Sequence, residues 1–247
     1  APLAGLLSKK YAAERRALID PRRAAPGAVA AGDPYRYQDD PSIPLRTQPA
    51  AAIKLAPESA HTTHLTVSDK EGNVVSYTFT IESWGGSGIV VPGYGFLLNN
   101  ELTDFDFAAP HPNVPEAGKR PRSSMAPTIA LKNGKPAFSI GSPGGSTIIT
   151  TVLQTIVNHV DFGMPMDQAL DAPRISQRNA AETSVEPGFA GSAQARALEG
   201  FGQRWESPAE EIGAANALVF NPDGTVTAVS EGKRHGVGTA LVQRRGH

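Results

Sequence analysis

Two adjacent threonines, Thr62 and Thr63, stand where a proline- and alanine-rich approach gives way to the alternating run His64-Leu65-Thr66-Val67-Ser68-Asp69. A threonine hydroxyl is a poor nucleophile until a base lies beside it. A free α-amine on the same residue, exposed by cutting the chain just before it, is one way to supply that base, which makes Thr62 a candidate N-terminal nucleophile. Gly144-Gly145, ahead of a helical run, can offer successive N–H groups to an anion or a developing oxyanion. The same pair also suits a strand-to-helix turn that needs positive φ, and no Gly-Lys-Ser/Thr follows to make a phosphate loop. Glu101 and Asp104 can grip a ligand ammonium or form an ordinary solvated loop in which Asp104 caps a turn. Ser123-Ser124, preceded by Arg120 and Arg122, can bind a carboxylate through hydroxyl and N–H donors or can cap a turn. The histidines, His61, His64, His111, His159, His235 and His247, show no metal-binding spacing, so no metal is assigned. His64 alternates to the face opposite Thr63, which leaves structural and catalytic roles equally open.

These residues need elements to hold them. Leu65 and Val67, then Val74, Tyr77, Phe79 and Ile81, flank Asp69-Lys70-Glu71-Gly72-Asn73 as a β-hairpin. Further hairpins are predicted around Lys132-Asn133-Gly134-Lys135 and Asn221-Pro222-Asp223-Gly224, and Gly238 to Val242 reads as a last strand. Ile148 to Val160 reads as a mostly apolar, buried helix, Met166 to Ala172 as a short one and Ser192 to Phe201 as an amphipathic one. A surface helix is expected over residues 3–19, ended by Asp20-Pro21, and residues 21–60 carry a proline every few positions, which prevents regular structure. Strands, then helices, then strands predict helices stacked on antiparallel sheet layers, an α+β class.

Composition narrows the partners. The 247 residues are 40% hydrophobic, enough for a real core, and their 23 basic and 24 acidic side chains give a net charge of −1. That balance supplies no field for nucleic acid or an anionic membrane. No run is long and apolar enough for a membrane span. The lack of cysteine excludes disulfides and a cysteine nucleophile without naming a compartment. The start at Ala1, with neither initiator methionine nor leader pattern, reads as a processed or partial product.

Taken together, Thr62-Thr63-His64-Leu65-Thr66-Val67, Leu97-Leu98-Asn99-Asn100-Glu101 with Asp104-Phe105, Lys119 to Thr128, and Gly141-Ser142-Pro143-Gly144-Gly145-Ser146 resemble the γ-glutamyltransferase (glutathione hydrolase) family of N-terminal nucleophile hydrolases. The resemblance runs from about Ala4 to the C-terminus. It implies a four-layer αββα sandwich of which this chain supplies about half, with residues 1–61 as the end of a large subunit and 62–247 as the small, catalytic subunit. It further implies a precursor that cuts itself between His61 and Thr62 and then transfers γ-glutamyl groups from glutathione and related amides to water, amino acids or peptides. By motif, Thr80 supports the nucleophile, Gly144 and Gly145 form the oxyanion hole, Ser123 and Ser124 hold the α-carboxylate, and Glu101 and Asp104 the α-ammonium. No cofactor is implied. The large-subunit segment is the implied partner, and the implied compartment is periplasmic or extracellular.

The chain departs from the family in three ways. Glu82 stands where many members carry asparagine, which either strengthens the grip on an ammonium or shifts the acyl preference. The segment from Phe105 to Lys119 is short and proline-punctuated, which implies an open cleft that admits large acceptors. The family's arginine for the α-carboxylate lies upstream of Ala1. A glutaryl- or cephalosporin-type acylase of the same superfamily is the alternative activity, and an unprocessed, inactive precursor the alternative state.

Overall fold

A computed structural model describes residues 2–38, 62–108, 111–234 and 238–242. The region around Thr62 is a pair of sheets. Strands β1 (Thr62–Ser68) and β2 (Val74–Thr80) form an antiparallel hairpin in which Thr62 lies opposite Thr80 and Ser68 opposite Val74. Asp69 closes its loop, accepting the N–H groups of Glu71 at 3.0 Å and Asn73 at 2.9 Å. Strands β3 (Thr128–Lys132) and β4 (Lys135–Gly141) are joined by Asn133-Gly134, both at positive φ (53° and 77°). That is the two-residue turn whose twist matches the strands it connects. β4 pairs with β7 (Asn216–Phe220) and β7 with β8 (Val226–Ser230), giving a four-stranded antiparallel sheet in the order β3-β4-β7-β8.

The hairpin packs on one face of this sheet, against β4 and β7. On the other face lie helices α3 (Ile148–Val160) and α4 (Met166–Asp171). Between sheet and helices sits the core, built from Phe138, Ile140, Ile148, Val152, Met166, Leu170 and Ala217. Each such side chain removed from water contributes about 1.5–3 kcal/mol. The described residues thus form an α+β stack of hairpin, sheet and helices. Among them no helix is long and apolar enough to cross a membrane.

The hairpin's polar residues face inward and its apolar residues outward. His64, Thr66, Ser76, Thr78 and Thr80 point toward the four-stranded sheet, while Leu65, Val67, Val75, Tyr77 and Phe79 are exposed, at 43–53%. The buried polar layer is stitched together: Thr66 Oγ1 meets Ser139 Oγ at 2.5 Å, and Asn216 Nδ2 donates to the His64 carbonyl at 2.8 Å. The His64 ring lies so close to Gly141 that a Cβ there would sit 2.2 Å from it, so only glycine fits.

Behind the helices, β5 (Ile175–Ser176) and β6 (Ser184–Val185) pair as a short ribbon, followed by α5 (Ala193–Gly200), capped by Ser192 Oγ. Two elements differ from the sequence expectation near the N-terminus. The expected helix over 3–19 is two, α1 (Leu3–Leu7) and α2 (Lys9–Arg16), because Ser8 turns extended and its Oγ caps the N–H of Tyr11. A serine that bonds the backbone this way competes with helix continuation. The N-terminal residues meet the rest of the chain through Val29, whose N–H and C=O both pair with the side chain of Asn179, and through the Ala24 N–H, which donates to the Phe201 carbonyl at 2.7 Å.

Two further expectations change. α3 is amphipathic, not fully buried: Ile149, Leu153 and Val160 are 52–58% exposed, since only one of its faces meets the sheet. Gly238 to Val242 forms no strand, and Leu241 and Val242 are exposed. A β-prone segment needs a neighbouring strand for its ladder, and among the described residues none pairs with it.

Candidate active site

Thr62 is the first residue of β1, and the register sets it directly opposite the last residue of β2. Side chains facing each other across an antiparallel pair are within reach, and the Thr62 hydroxyl donates to Thr80 Oγ1 at 3.1 Å. Thr80 Oγ1 in turn accepts the N–H of Glu82 at 2.9 Å. Glu82 makes that bond from φ 70°, a left-handed conformation uncommon for a non-glycine residue. Backbone strain of this kind is held only where the surroundings fix it. Here Ser83 Oγ at 2.5 Å, Thr103 Oγ1 at 3.2 Å and Asn100 Nδ2 all donate to the Oε2 of Glu82.

Asn100 also accepts the Ser83 N–H at 2.9 Å, which ties the turn after β2 to the 3-10 turn Glu101–Asp104. Glu101 and Asp104 therefore stand beside Glu82. Burial pushes the Glu101 carboxyl above its ordinary value, and the negative charges of Asp104 and Glu82 add to the shift. Three carboxyl groups crowded like this favour a cation among them.

The same cleft is lined by Arg122, Ser123, Ser124 and Met125 and, at the entry to α3, by Gly145, Ser146 and Ile148. Thr62, Thr80, Glu82, Glu101, Asp104, Ser123, Ser124 and Gly145 share this single cleft, so eight of the residues singled out by sequence come together. Gly144 does not line it; it lies on the adjoining groove beside β1, at φ 134°, with its carbonyl taken by Thr147 N at 3.1 Å and Thr147 Oγ1 at 2.7 Å. His61 lies outside the described residues.

His64 takes the structural option. It is 5% exposed, its Nδ1 meets Thr78 Oγ1 at 2.8 Å, and burial lowers its pKa to about 4, so the ring is neutral near pH 7. Sequence reasoning missed Arg122 and Ser146 as cleft residues, and missed Asn100 and Thr103 as the partners that aim Glu82. Asn100 lay inside a quoted motif, but its amide is assigned only by the geometry. Among the described residues no group of His, Asp or Glu has metal-binding geometry.

The family model described as gamma-glutamyltranspeptidase matches residues 1–241. The chain is 40% identical to the glutathione hydrolase proenzyme of Bacillus subtilis (strain 168), over 99% of this chain and 41% of that protein. It thus spans about two fifths of the length of the curated relatives it matches first. Among solved structures, the gamma-glutamyltranspeptidase from Pseudomonas nitroreducens superposes with a TM-score of 0.65 at 32% identity, using 73% of this chain and 100% of that one. The cephalosporin acylase from Bacillus halodurans superposes with a TM-score of 0.75 at 26% identity, over 97% of this chain and 40% of that one. From the match of sequence and fold, the chain belongs to the γ-glutamyltranspeptidase family.

Proposed function

We propose that this chain carries the reacting half of a threonine-nucleophile γ-glutamyl hydrolase and transferase, made as a precursor and cut between His61 and Thr62. One observation carries the reading: Thr62, bonded to Thr80, opens onto a cleft lined by three carboxyl-bearing side chains and two serines. A γ-glutamyl group complements that arrangement. Its α-ammonium matches Glu82, Glu101 and Asp104, its α-carboxylate matches Ser123 and Ser124, and its γ-carbonyl reaches Thr62.

The cut precedes the chemistry. The Thr62 hydroxyl adds to the His61 carbonyl and passes its proton to the Thr62 nitrogen, so that the peptide C–N bond breaks to a free α-amine as an ester forms, and water then hydrolyses the ester to a His61 carboxylate and the restored Thr62 hydroxyl. A solved relative covered whole by about three quarters of this chain supports that division, because residues 62–247 make up the same fraction.

In turnover the amine accepts the hydroxyl proton as Oγ1 attacks the γ-carbonyl. Thr80, held by the Glu82 N–H, keeps Oγ1 in place. N–H groups of the Gly144-Gly145 turn stabilise the oxyanion, the leaving amine takes the proton, and a γ-glutamyl ester remains on Thr62. Water or an acceptor amine then attacks the ester and restores the hydroxyl. No cofactor enters these steps. The upstream part of the precursor is the partner, and an exported compartment, periplasmic or extracellular, goes with this reading.

A glutaryl-type acylase is the second reading, supported by the likeness to a cephalosporin acylase. A glutaryl group has no ammonium, so it leaves the carboxyl cluster without a counter-charge. Assay of the full-length, processed protein with γ-glutamyl and glutaryl anilides decides between them. Faster γ-glutamyl release is expected, and faster glutaryl release would sink the first reading. A dormant precursor is tested by intact mass: a fragment beginning at Thr62 must appear.

A further inference from the structure

We propose that Asn113 is a positioning residue that sets the spacing between two parts of the cleft lining, the carboxyl wall of Glu82, Glu101 and Asp104 and the hydroxyl wall of Ser123 and Ser124. The inference rests on the γ-glutamyl reading above. Asn113 does not line the cleft and touches no reacting atom. Its partly buried side chain nevertheless bonds to both walls. Nδ2 donates to the Asp104 carbonyl at 2.7 Å and to the Asp106 carboxylate at 2.9 Å, while Oδ1 accepts the Arg122 N–H at 3.0 Å. One amide thereby uses both donor and acceptor ends on residues that precede and follow it in the chain.

The residues it holds are the ones that matter. Asp104 belongs to the carboxyl wall, and Arg122 is followed at once by Ser123 on the hydroxyl wall. Asp106 adds a second tie, pairing with Arg122 Nη1 at 2.9 Å and His111 Nδ1 at 3.2 Å, and its N–H donates to the Asn113 carbonyl at 3.1 Å. Asp106, His111 and Asn113 together thus form a clasp. A donor charged at both ends of its α-carbon must be met by both walls at once, and small misplacement of one wall is costly to such two-point recognition. A ligand held by one wall only does not sense the spacing.

The test uses full-length, processed enzyme carrying Asn113→Ala, assayed with γ-glutamyl anilide and inhibited by L-glutamate or by glutarate, which lacks the ammonium. KM for the anilide is expected to rise about tenfold with kcat held within about twofold, because the positioning serves binding of both ends. The inhibition constant of L-glutamate should rise in parallel while that of glutarate stays within about twofold. Equal weakening of both inhibitors, a fall in kcat at constant KM, or no change overturns the proposal. If Asn113→Ala does not fold, Asp106→Asn, which keeps the side chain's shape and loses the ion pair, is judged by the same criteria with KM expected to rise about threefold. Absence of γ-glutamyl hydrolysis in the unsubstituted enzyme counts against the functional reading, separately from the role of Asn113.

Discussion

The molecule holds two clusters of charge, and they are built on opposite principles. Behind α4, Arg174, Glu186, Glu231 and Arg234 are 2–5% exposed, and two cations face two anions. Arg174 Nη2 meets Glu231 at 2.7 Å, and Arg234 grips Glu186 through Nε at 2.5 Å and Nη2 at 2.7 Å. Backbone completes the set: both arginines donate to the Leu170 carbonyl at the end of α4, at 2.8 and 2.9 Å, and Glu186 accepts the N–H groups of Arg174 and Ile212. In the cleft, by contrast, Glu82, Glu101 and Asp104 crowd together, and the nearby Arg122 is already paired with Asp106. The sealed cluster balances its own charges, with Arg174 Nε the one buried polar atom of the four side chains that lacks a partner, and holds α4, β5 and β8 together. In the open one, burial and then the charges of Asp104 and Glu82 raise the Glu101 carboxyl, which is a reason to expect a cationic ligand.

Substitutions in the two clusters should separate function from stability. The largest effect is expected beside the open one. Thr62→Ala should lower γ-glutamyl anilide hydrolysis by at least about a thousandfold and leave the precursor uncut, with little change in thermal midpoint. A variant cut normally at residue 62 would move the nucleophile elsewhere. Next comes the sealed cluster. Arg174→Ala leaves Glu231 to Arg234 alone among the cluster's cations and strips the Ile212 and Leu170 carbonyls of a donor, which should cost about 3–5 kcal/mol in denaturant unfolding, as removing one partner of a buried pair does. Its fully folded fraction should keep its KM for the donor. A large rise in KM would show that the two clusters are coupled.

Acid provides the third contrast. His64 ordinarily titrates near 6.5 but at about 4 in the folded protein, because it is buried. Between those values the unfolded chain binds more protons, so stability falls as pH drops from about 6.5 to about 4. Glu186 acts lower. Burial alone pushes its carboxyl up, but the hydrogen bonds from Arg234, Ile212 and Arg174 outweigh this and hold it below its ordinary value. Its contribution is therefore present above the ordinary carboxylate range and is lost below it. Denaturant titrations should show His64→Gln flattening the upper part of this decline and leaving the lower part intact. An unchanged profile would reject His64 as its source.

The legibility of the molecule divides along the same line. Thr62, Glu101, Asp104 and Ser123 were readable because their chemistry is carried by residue type in short motifs. The hairpins were readable because Asn133-Gly134 and its counterparts impose local backbone geometry. The sealed cluster was not, since nothing in a linear pattern tells Arg174 that its partner is Glu231, 57 positions on. Alternation located β1 and β2 but could not say which face is buried; polar side chains face inward because Ser139 and Asn216 are there to meet them. The helix over 3–19 failed for a smaller reason, a single serine that prefers to cap.

The smallest expected effect tests the comparison most directly. Glu101→Gln removes one negative charge from the open cluster while keeping the side chain's size. If the cluster exists to hold an ammonium, L-glutamate should bind about tenfold more weakly, near 1.4 kcal/mol, while glutarate binds no worse. The Glu101 carboxyl titrates above its ordinary value, first because it is buried and then because Asp104 and Glu82 repel its charge. Donor affinity in the unsubstituted enzyme should therefore begin to fall, as pH is lowered, before an ordinary carboxylate would be protonated, and Glu101→Gln should weaken that dependence. The matching change in the sealed cluster, Glu231→Gln, should lower stability and leave the preference for L-glutamate over glutarate where it was. Equal loss of both ligands in Glu101→Gln would mean that the open cluster shapes the cleft without reading charge, and the contrast between the two clusters would reduce to one of exposure.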